Sequence, residues 1–318
     1  MAPLFERLTI IGCGLIGSSI ALAARRRGLV GEIVVTDRSG PVRERATALK
    51  LGDRVTPDIS EGVDGADLVI FAVPVLAMGA AVAAAAPHLR PGAILTDVGS
   101  VKGSVSDALA AAAPPDVFVV PGHPIAGTEH SGPDAGFAEL FEGRWTILTP
   151  LAKDDPDYAE AVARLTAFWL ALGAQVEVMD AAHHDLVLAV TSHVPHLIAY
   201  NIVGTAADLE GVTEGEVMKY AAGGFRDFTR IAASDPTMWR DIFVANKTAV
   251  LEVLGRFTED LQALQRAIRW DEADKLHDRF SRTREIRRGV IALGQDSPES
   301  NFGRDRDRKG PPGDGPGT

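Results

Sequence analysis

Cysteine is almost absent from this chain of 318 residues, in which Cys13 is the only one. A single thiol excludes an internal disulfide framework and fits a reducing compartment, so we expect a cytoplasmic protein. Cys13 lies inside a glycine-rich stretch near the start of the chain. That position predicts packing beside a bound ligand, with redox chemistry as the weaker alternative.

Positive charge is also in short supply. The chain has 32 lysines and arginines against 43 aspartates and glutamates, a formal net charge of −11. This balance argues against general binding to nucleic acid or to an anionic membrane surface. An anionic substrate would therefore need a local cluster of cations.

Long uninterrupted apolar runs are lacking as well. Leu68–Ala86 carries no charge and approaches the length of a membrane span, but Pro74 interrupts it. We expect a buried strand over Leu68–Val73 and a separate alanine-rich helix over Val75–Ala86. The first apolar run of the chain is short and follows charged residues, so neither a signal peptide nor a membrane span is predicted.

The feature that organises the chain is the glycine motif at residues 12–17, which follows an apolar strand and opens an alanine-rich helix. In this pattern Gly12 permits a tight turn, Gly14 lets the backbone approach a pyrophosphate, and Gly17 lets helix and strand pack closely. The pyrophosphate would bind the free N–H groups at the helix start, which adds Leu15 and Ile16 to the expected site.

A second strand, predicted over Glu32–Thr36, ends at Asp37, about twenty residues past the last glycine of the motif. A carboxylate at this position binds the 2′-hydroxyl of the adenosine ribose. Asp37 therefore predicts NAD rather than NADP, because it would repel a 2′-phosphate. Arg38 beside it weakens that preference without reversing it.

Strands and helices alternate as far as residue 178, which predicts an α/β domain at 1–178 with a doubly wound parallel Rossmann sheet. We expect Trp145–Leu148 and Gln175–Val178 to extend this sheet. Val73 and Pro74 leave the sheet at its carboxyl edge, where they could pack against the adenosine and ribose or form a plain strand end.

From residue 179 the strand pattern ends. Long helical patterns run over Ala181–Leu209, Pro236–Ile268 and Asp271–Leu293, and they predict an all-helical domain at 179–294. Helices this long in a small domain usually bury their apolar faces against a partner, so we expect a homodimer formed through this half. The tail at 295–318 is rich in Gly, Pro, Asp and Arg and should be disordered.

Ser100 and Lys102 follow the strand predicted at Ala93–Thr96, at the ligand edge of the sheet. Ser100 is placed to cap the next helix. Lys102 would lie in the first turn of that helix, where the helix dipole disfavours a cation. We interpret this placement as a sign that an anion binds there.

The segment Pro121–Gly127 leaves the sheet at the same edge and holds two prolines and two glycines around His123. A histidine held stiffly at the ligand edge is a candidate general base, because its pKa lies near operating pH. Ser100 on the neighbouring strand end could hydrogen-bond the imidazole and orient it.

The helical half contains a histidine-rich region around Thr191–His196. On an ideal helix His183, His193 and His196 do not share one face, and no cysteine accompanies them, so no metal site is predicted. We expect His193 to line a substrate pocket and His196 to serve in capping or packing.

Arg226 and Arg230 lie four residues apart, which puts them on one face of a predicted short helix. Arginine suits bidentate binding of a carboxylate, so this pair is predicted to clamp a substrate carboxylate. Asp235 and Pro236 begin the next helix, and Trp239 follows as core or pocket wall.

Together these motifs resemble the prephenate and arogenate dehydrogenase family of tyrosine biosynthesis. The resemblance extends from about Leu8 to Leu293. It implies an NAD-dependent oxidative decarboxylation of prephenate or arogenate to 4-hydroxyphenylpyruvate or tyrosine. It further implies that His123 is the catalytic histidine, with Ser100 its hydrogen-bond partner and Lys102 an assisting cation. Arg230 would be the main carboxylate ligand, with Arg226 and His193 nearby.

Two other classes of protein remain open at this point. A β-hydroxyacid dehydrogenase or an imine reductase would share the glycine motif and a helical half, but would need a catalytic lysine there, for which Lys219 and Lys247 have poor contexts. A non-catalytic NAD-binding protein would need the glycine motif but not His123, Lys102 and Arg230 together.

Overall fold

The computed structural model describes residues 2–128, 130–210, 219–220 and 222–292. Its main sheet has six strands, which are β1 (Phe5–Ile11), β2 (Val30–Thr36), β3 (Arg54–Thr56), β4 (Leu68–Phe71), β5 (Ile94–Asp97) and β6 (Phe118–Val119). All neighbours pair in parallel, in the order β3-β2-β1-β4-β5-β6. The predicted doubly wound Rossmann sheet is thereby confirmed.

Helices cover both faces of this sheet. They are α1 (Leu15–Arg26), α2 (Gly40–Ala48), α3 (Ile59–Val63), α4 (Met78–Ala85), α5 (Gly103–Ala112) and α6 (Pro156–Ala171). In β4, Leu68 and Ile70 belong to one apolar cluster while Val69 and Phe71 belong to another. Because alternate residues of a strand point to opposite faces, this division shows that β4 is buried on both sides.

One sequence prediction about the sheet is wrong. Trp145–Leu148 (β8) and Gln175–Val178 (β9) do not extend the main sheet, but join Gly122–Pro124 (β7) in a separate sheet ordered β7-β8-β9. β7 and β8 are antiparallel, and β8 and β9 are parallel. The edge strand β6 is only two residues long, and the hydroxyl of Tyr158 donates to its Val119 carbonyl at 2.8 Å. Little free edge is left there for another strand.

From residue 181 onwards the described elements are all helical. They are α7 (Ala181–Leu188), a π-helical turn (Ala189–His193), α8 (Val194–Glu210), α9 (Gly223–Thr229), a 3₁₀ turn (Arg230–Ala233), α10 (Pro236–Ala245), α11 (Lys247–Arg269) and α12 (Ala273–Ala292). Asp235 caps α10 by accepting the Met238 N–H at 2.8 Å, as its position before Pro236 predicted. The predicted disordered tail at 295–318 lies outside the described residues.

The single helix predicted over Pro236–Ile268 is two helices. The break is at Asn246, whose backbone leaves the helical region with φ −99° and ψ 31°. Its buried side-chain amide donates to the Asp185 carbonyl at 2.8 Å and lies 3.0 Å from His193 Nδ1. These contacts hold the end of α10 against the segment that carries both partners.

The run Ala181–Leu209 is long and apolar enough to span a bilayer by length and composition, with a hydropathy of 1.5. In the structure 28% of that apolar window is buried, and polar residues of the run lie among the buried ones. His184, Asp185 and His193 are at most 8% exposed, and Asp185 accepts hydrogen bonds from Lys102 and Gly103. This run therefore packs against the sheet-bearing part of the same compact unit.

The chain forms two compact units, Met1–Leu254 and Gly255–Thr318, and the boundary between them lies within α11. The first unit holds both sheets and the helices through α10. The described part of the second unit consists of the end of α11 and α12, joined by an ion pair between Arg279 and Asp260 at 2.9 Å.

Candidate active site

The glycine motif turns from β1 into α1 directly against the end of β4. Gly12 has φ +98°, which favours glycine, and a Cβ there would lie 2.5 Å from the Ala72 carbonyl oxygen and 3.1 Å from Val73 Cγ1. The motif thus lies between β1 and β4, where the strand order reverses. Such a switch point is where open α/β sheets bind nucleotides.

The two other glycines have different surroundings. A Cβ on Gly17 would collide with the Gly12 carbonyl oxygen, so Gly17 is required for close packing of α1. A Cβ on Gly14 would meet nothing within 4 Å. Among the described residues, no side chain caps α1 and no acidic residue lies in its first turn, so its N–H groups remain available to a phosphate.

Asp37 braces the glycine motif from the end of β2. Its carboxylate accepts the Cys13 N–H at 2.9 Å and the Ser39 N–H at 2.8 Å. Cys13 is buried, and burial raises the pKa of its thiol, which fits the predicted packing role. Arg38 is exposed beside Asp37.

The contrast between Gly14 and Gly17 gives a first prediction. Gly14→Ala should fold with unchanged thermal stability and bind NAD at least about tenfold more weakly, because the methyl group fills the space needed by the pyrophosphate. Gly17→Ala should lose about 1–3 kcal/mol of stability by overpacking. Calorimetric titration with NAD and thermal unfolding of both variants separate the two effects. Unchanged NAD affinity in Gly14→Ala would contradict the assignment.

Lys102 is fully buried, and its charged partner is a residue of the protein rather than a ligand. Its ammonium pairs with the Asp97 carboxylate at the end of β5 and donates to the Gly122 carbonyl at 2.7 Å. The sequence interpretation that an incoming anion explains Lys102 is therefore corrected, because the anion is Asp97. Burial lowers the pKa of Lys102, while Asp97 acts in the opposite direction.

The expected cap of α5 is also corrected. The helix begins at Gly103, and Ser100 does not cap it. The cap comes from a distant residue, since the Asp185 carboxylate accepts the Lys102 N–H at 2.7 Å and the Gly103 N–H at 2.8 Å. Asp185 thereby occupies the positive end of the α5 dipole.

His123 lies on β7, next to the carbonyl that Lys102 holds, and is 8% exposed. Its Nδ1 lies 2.9 Å from His184 Nε2. Burial lowers the pKa of His123 well below its usual value, and nearby His184 and Lys102 act in the same direction. The ring is therefore neutral at neutral pH, and its lowered pKa differs from the value near operating pH on which the sequence interpretation depended.

Ser100 was expected to orient the imidazole of His123. The described hydrogen bond at His123 Nδ1 goes instead to His184, while the Ser100 main chain lies beside the ring of His193 and tends to raise its pKa. Ser100 is half-buried, three residues before the start of α5.

The helices that follow residue 180 contribute His193 and Trp239 to the site. Burial lowers the pKa of His193 to about 4, and its Nδ1 is paired with Asn246. Trp239 packs on Val101, and its ring stacks on His196 with centroids 3.6 Å apart. Trp239 Nε1 is buried without a hydrogen-bond partner among the described residues, so it can donate to a ligand atom.

The two arginines lie in different surroundings. Arg230 begins the 3₁₀ turn after α9, is exposed, and is close enough to lower the pKa of His196. Arg226 lies on α9 with its side chain 78% exposed and its Nε 3.4 Å from Asp227. Within the described residues, the structure thus brings Arg230 towards the histidine cluster but not Arg226.

Sequence reasoning missed four polar residues of this cluster, which are Asp97, His184, Asp185 and Asn246. The pair His184-Asp185 is visible in the sequence, but its partners lie 61 residues away at His123 and more than 80 residues away at α5. Local spacing carries no signal of such contacts.

A Rossmann sheet with a glycine motif at its switch point, and a neutral buried histidine at the same edge, define a dinucleotide-dependent oxidoreductase. Comparison with known proteins refines this class. The family description "Prephenate dehydrogenase, nucleotide-binding domain" matches residues 20–178, and "Prephenate dehydrogenase, dimerization domain" matches residues 180–282. The chain belongs to the prephenate dehydrogenase family.

Individual relatives agree with this assignment. The cyclohexadienyl dehydrogenase of Zymomonas mobilis is 46% identical over 89% of this chain and 95% of its own length. The prephenate dehydrogenase of Bacillus subtilis is 35% identical over 91% of this chain and 77% of its own length. A crystal structure of Aquifex aeolicus prephenate dehydrogenase with hydroxyphenyl propionate and NAD⁺ has a TM-score of 0.81 at 33% identity, covering 90% and 98% of the two chains.

Proposed function

We propose that this protein catalyses the NAD-dependent oxidative decarboxylation of a cyclohexadienyl substrate, prephenate or arogenate, in tyrosine biosynthesis. The observation that carries the proposal is His123, a buried neutral imidazole at the carboxyl edge of a nucleotide-binding sheet. The names of the relatives support the substrate class, and the Aquifex aeolicus complex supports NAD as the cofactor.

The residues around the glycine motif fit NAD. Gly12, Gly14 and Gly17 form the turn, and the N–H groups of Leu15 and Ile16 at the uncapped start of α1 would bind the pyrophosphate. Asp37 offers its carboxylate to a ribose hydroxyl, and Val73 and Pro74 border the same edge. NAD supplies a hydride acceptor for the ring carbon that bears the hydroxyl.

His123 removes the proton of that hydroxyl as the carbon is oxidised to a ketone. The ketone is conjugated to the carbon that carries the ring carboxylate, which makes the compound a vinylogous β-keto acid. Carbon dioxide then leaves because the ring becomes aromatic. Lys102 assists in this proposal by holding the Asp97 carboxylate and the Gly122 carbonyl in place beside His123.

The substrate carboxylates require a local cluster of cations, because the chain as a whole has a net charge of −11. Arg230 is the main ligand in this proposal, and Arg226 is an exposed second cation on the preceding helix. Trp239 supports binding with its buried Nε1, which has no described partner, and His193 lines the same site. Ser100 follows the end of β5, and its main chain lies beside His193.

Arg230→Ala should raise KM about 10- to 100-fold with little change in kcat, because a hydrogen bond to a charged group contributes about 1.5–3 kcal/mol to binding. Steady-state kinetics with the substrate varied at saturating NAD measures this. Arg256→Ala, an exposed arginine on α11, is the matched control and should leave KM unchanged. An unchanged KM in Arg230→Ala would contradict the carboxylate clamp.

The function is tested by mixing purified protein with NAD and prephenate, or with NAD and arogenate, and following NADH absorbance together with carbon dioxide release. We expect one carbon dioxide for each NADH, and kcat/KM for the two substrates defines the preference. NADH without carbon dioxide, formed from a hydroxyacid, would favour a β-hydroxyacid dehydrogenase. NAD binding without turnover of any substrate would favour a non-catalytic protein.

We also propose that the protein is a cytoplasmic homodimer. Residues 179–294 would form the domain through which it dimerises, and residues 1–178 would form the nucleotide-binding domain. Phe257, Leu261, Leu264 and Ile268 recur on one face of α11, and all but Leu264 are exposed, as are Trp270, Phe280 and Ile286. Such an apolar face is typical of a protein interface. The matching dimerization-domain description supports this proposal.

Leu261→Glu combined with Ile268→Glu should therefore convert the dimer to a monomer, because each subunit would bury two carboxylates in the interface. Light scattering after size-exclusion chromatography measures the mass. Gln262→Glu, on another face of the same helix, is the control and should remain dimeric. A dimer of unchanged mass in the double variant would contradict the proposed interface.

A further inference from the structure

His123 is the first member of a buried chain of three polar side chains. His123 Nδ1 lies 2.9 Å from His184 Nε2, and His184 Nδ1 lies 2.8 Å from Asp185 Oδ1. The three residues are 8%, 0% and 8% exposed, so water does not compete for these hydrogen bonds. The two imidazole rings meet edge to face, with centroids 5.1 Å apart.

Asp185 is fixed at the far end of this chain. Its two carboxylate oxygens accept the N–H groups of Lys102 and Gly103 at the start of α5. Burial raises the pKa of Asp185, but the hydrogen bonds from His184 and from these two N–H groups outweigh it, and the pKa is lowered overall. Asp185 is therefore an anion, and an anion can only accept hydrogen bonds.

The negative charge of Asp185 determines which atom donates in each hydrogen bond of this chain of three side chains. Because Asp185 only accepts, His184 must donate from Nδ1. Burial lowers the pKa of His184, so the ring is neutral and its Nε2 carries no proton. His184 Nε2 can then only accept, so His123 must donate from Nδ1, which leaves the lone pair of the neutral His123 ring on Nε2.

We propose that His184 and Asp185 are positioning residues that hold His123 in the one tautomer able to act as a base at Nε2, and that stabilise the charge formed there. The proposal rests on the proposed function, in which His123 is that base. When Nε2 takes the hydroxyl proton, the Nδ1 proton moves towards His184 Nε2. The positive charge is then shared with His184, directly beside the Asp185 carboxylate.

The other charged groups near His123 do not replace this arrangement. Lys102 lies close enough to lower the pKa of both His123 and His184, but its ammonium is bound to Asp97 and to the Gly122 carbonyl. His193 also faces His123 and lowers its pKa, and its Nδ1 is paired with Asn246. Asp185 is therefore the anion that the hydrogen bonds connect to His123.

Two substitutions of His184 separate positioning from packing. His184→Gln keeps an acceptor near the place of Nε2 and should retain kcat within about tenfold. His184→Leu fills similar space without an acceptor and should lose about 100-fold or more in kcat, with KM nearly unchanged. A packing role would give the opposite order, because leucine suits a buried site better than glutamine. His183→Gln, at the exposed neighbouring histidine, is the control and should behave as the unsubstituted protein.

The tautomer can also be read directly, even where a variant is unstable. In the unsubstituted protein, ¹⁵N NMR of the histidine rings should show His123 protonated at Nδ1 and unprotonated at Nε2, with the signal assigned by its loss in His123→Asn. A proton on Nε2, or equal kcat in the Gln and Leu variants at equal stability, would overturn the relay. Normal kcat in His123→Asn would instead overturn the proposed function.

Discussion

His123→Asn is expected to lower kcat by about 10³-fold while NAD and substrate bind with nearly normal affinity. The size follows from the loss of a general base, which contributes about 10²- to 10⁴-fold to enzymatic rates. Asparagine is the informative replacement because its side-chain amide lies near the position of Nδ1 and can still donate to His184. The variant therefore removes the basic Nε2 and leaves the buried hydrogen bond in place.

Stopped-flow measurement of NADH formation, with calorimetric titration of NAD and substrate, tests this expectation. His130→Asn is the matched control, since His130 is exposed a few residues further along the chain. A kcat within threefold of the unsubstituted protein, or a loss that appears mainly as weaker binding, would show that His123 is not the base.

The second large effect concerns stability. Lys102→Met should lower the free energy of unfolding by about 3–5 kcal/mol, because it leaves the buried Asp97 carboxylate without its cation. Asp97 is fully buried, and its other partners are the N–H groups of Gly99 at 2.7 Å and Gly122 at 3.1 Å. Two backbone donors do not replace a full positive charge.

A double substitution makes the test specific. Asp97→Asn combined with Lys102→Met removes both charges and should recover at least half of the lost stability, measured by the shift of the urea midpoint. Lys275→Met, which removes an exposed lysine paired with Glu272, serves as control and should have no measurable effect. A Lys102→Met protein as stable as the unsubstituted one would mean that the pair does not hold this edge of the sheet together.

Much of the fold could be predicted from local sequence patterns. The glycine motif, the buried strands and Asp37 depend on spacing and on alternation within a few residues, and the structure has the expected sheet. His123 was recognisable because prolines and glycines surround it at a strand end. In each case the cause lies within about twenty residues of the effect.

Features that depend on distant contacts were not predictable in this way. Lys102 looked like a ligand for an incoming anion because its pairing with Asp97 depends on how the strand end folds back. The cap of α5 was assigned to nearby Ser100, whereas the structure takes it from Asp185. The break at Asn246 has the same origin, since an asparagine in a helical pattern gives no sign that its amide is needed elsewhere.

The second sheet illustrates a further limit. Trp145–Leu148 was correctly predicted as a strand, but the choice of its partner was wrong. That choice depends on whether β6 has a free edge. β6 is only two residues long, and its Val119 carbonyl already accepts a hydrogen bond from Tyr158. Strand propensity does not report which edge is available.

The most direct measurement of the central claim is a crystal structure of this protein with NAD and 4-hydroxyphenylpyruvate. We expect His123 Nε2 at about 2.6–3.2 Å from the phenolic oxygen, Nδ1 still bound to His184, and Arg230 in contact with a carboxylate. A complex in which the imidazole points away from the phenolic oxygen, with Arg230 turned from the ligand, would contradict it.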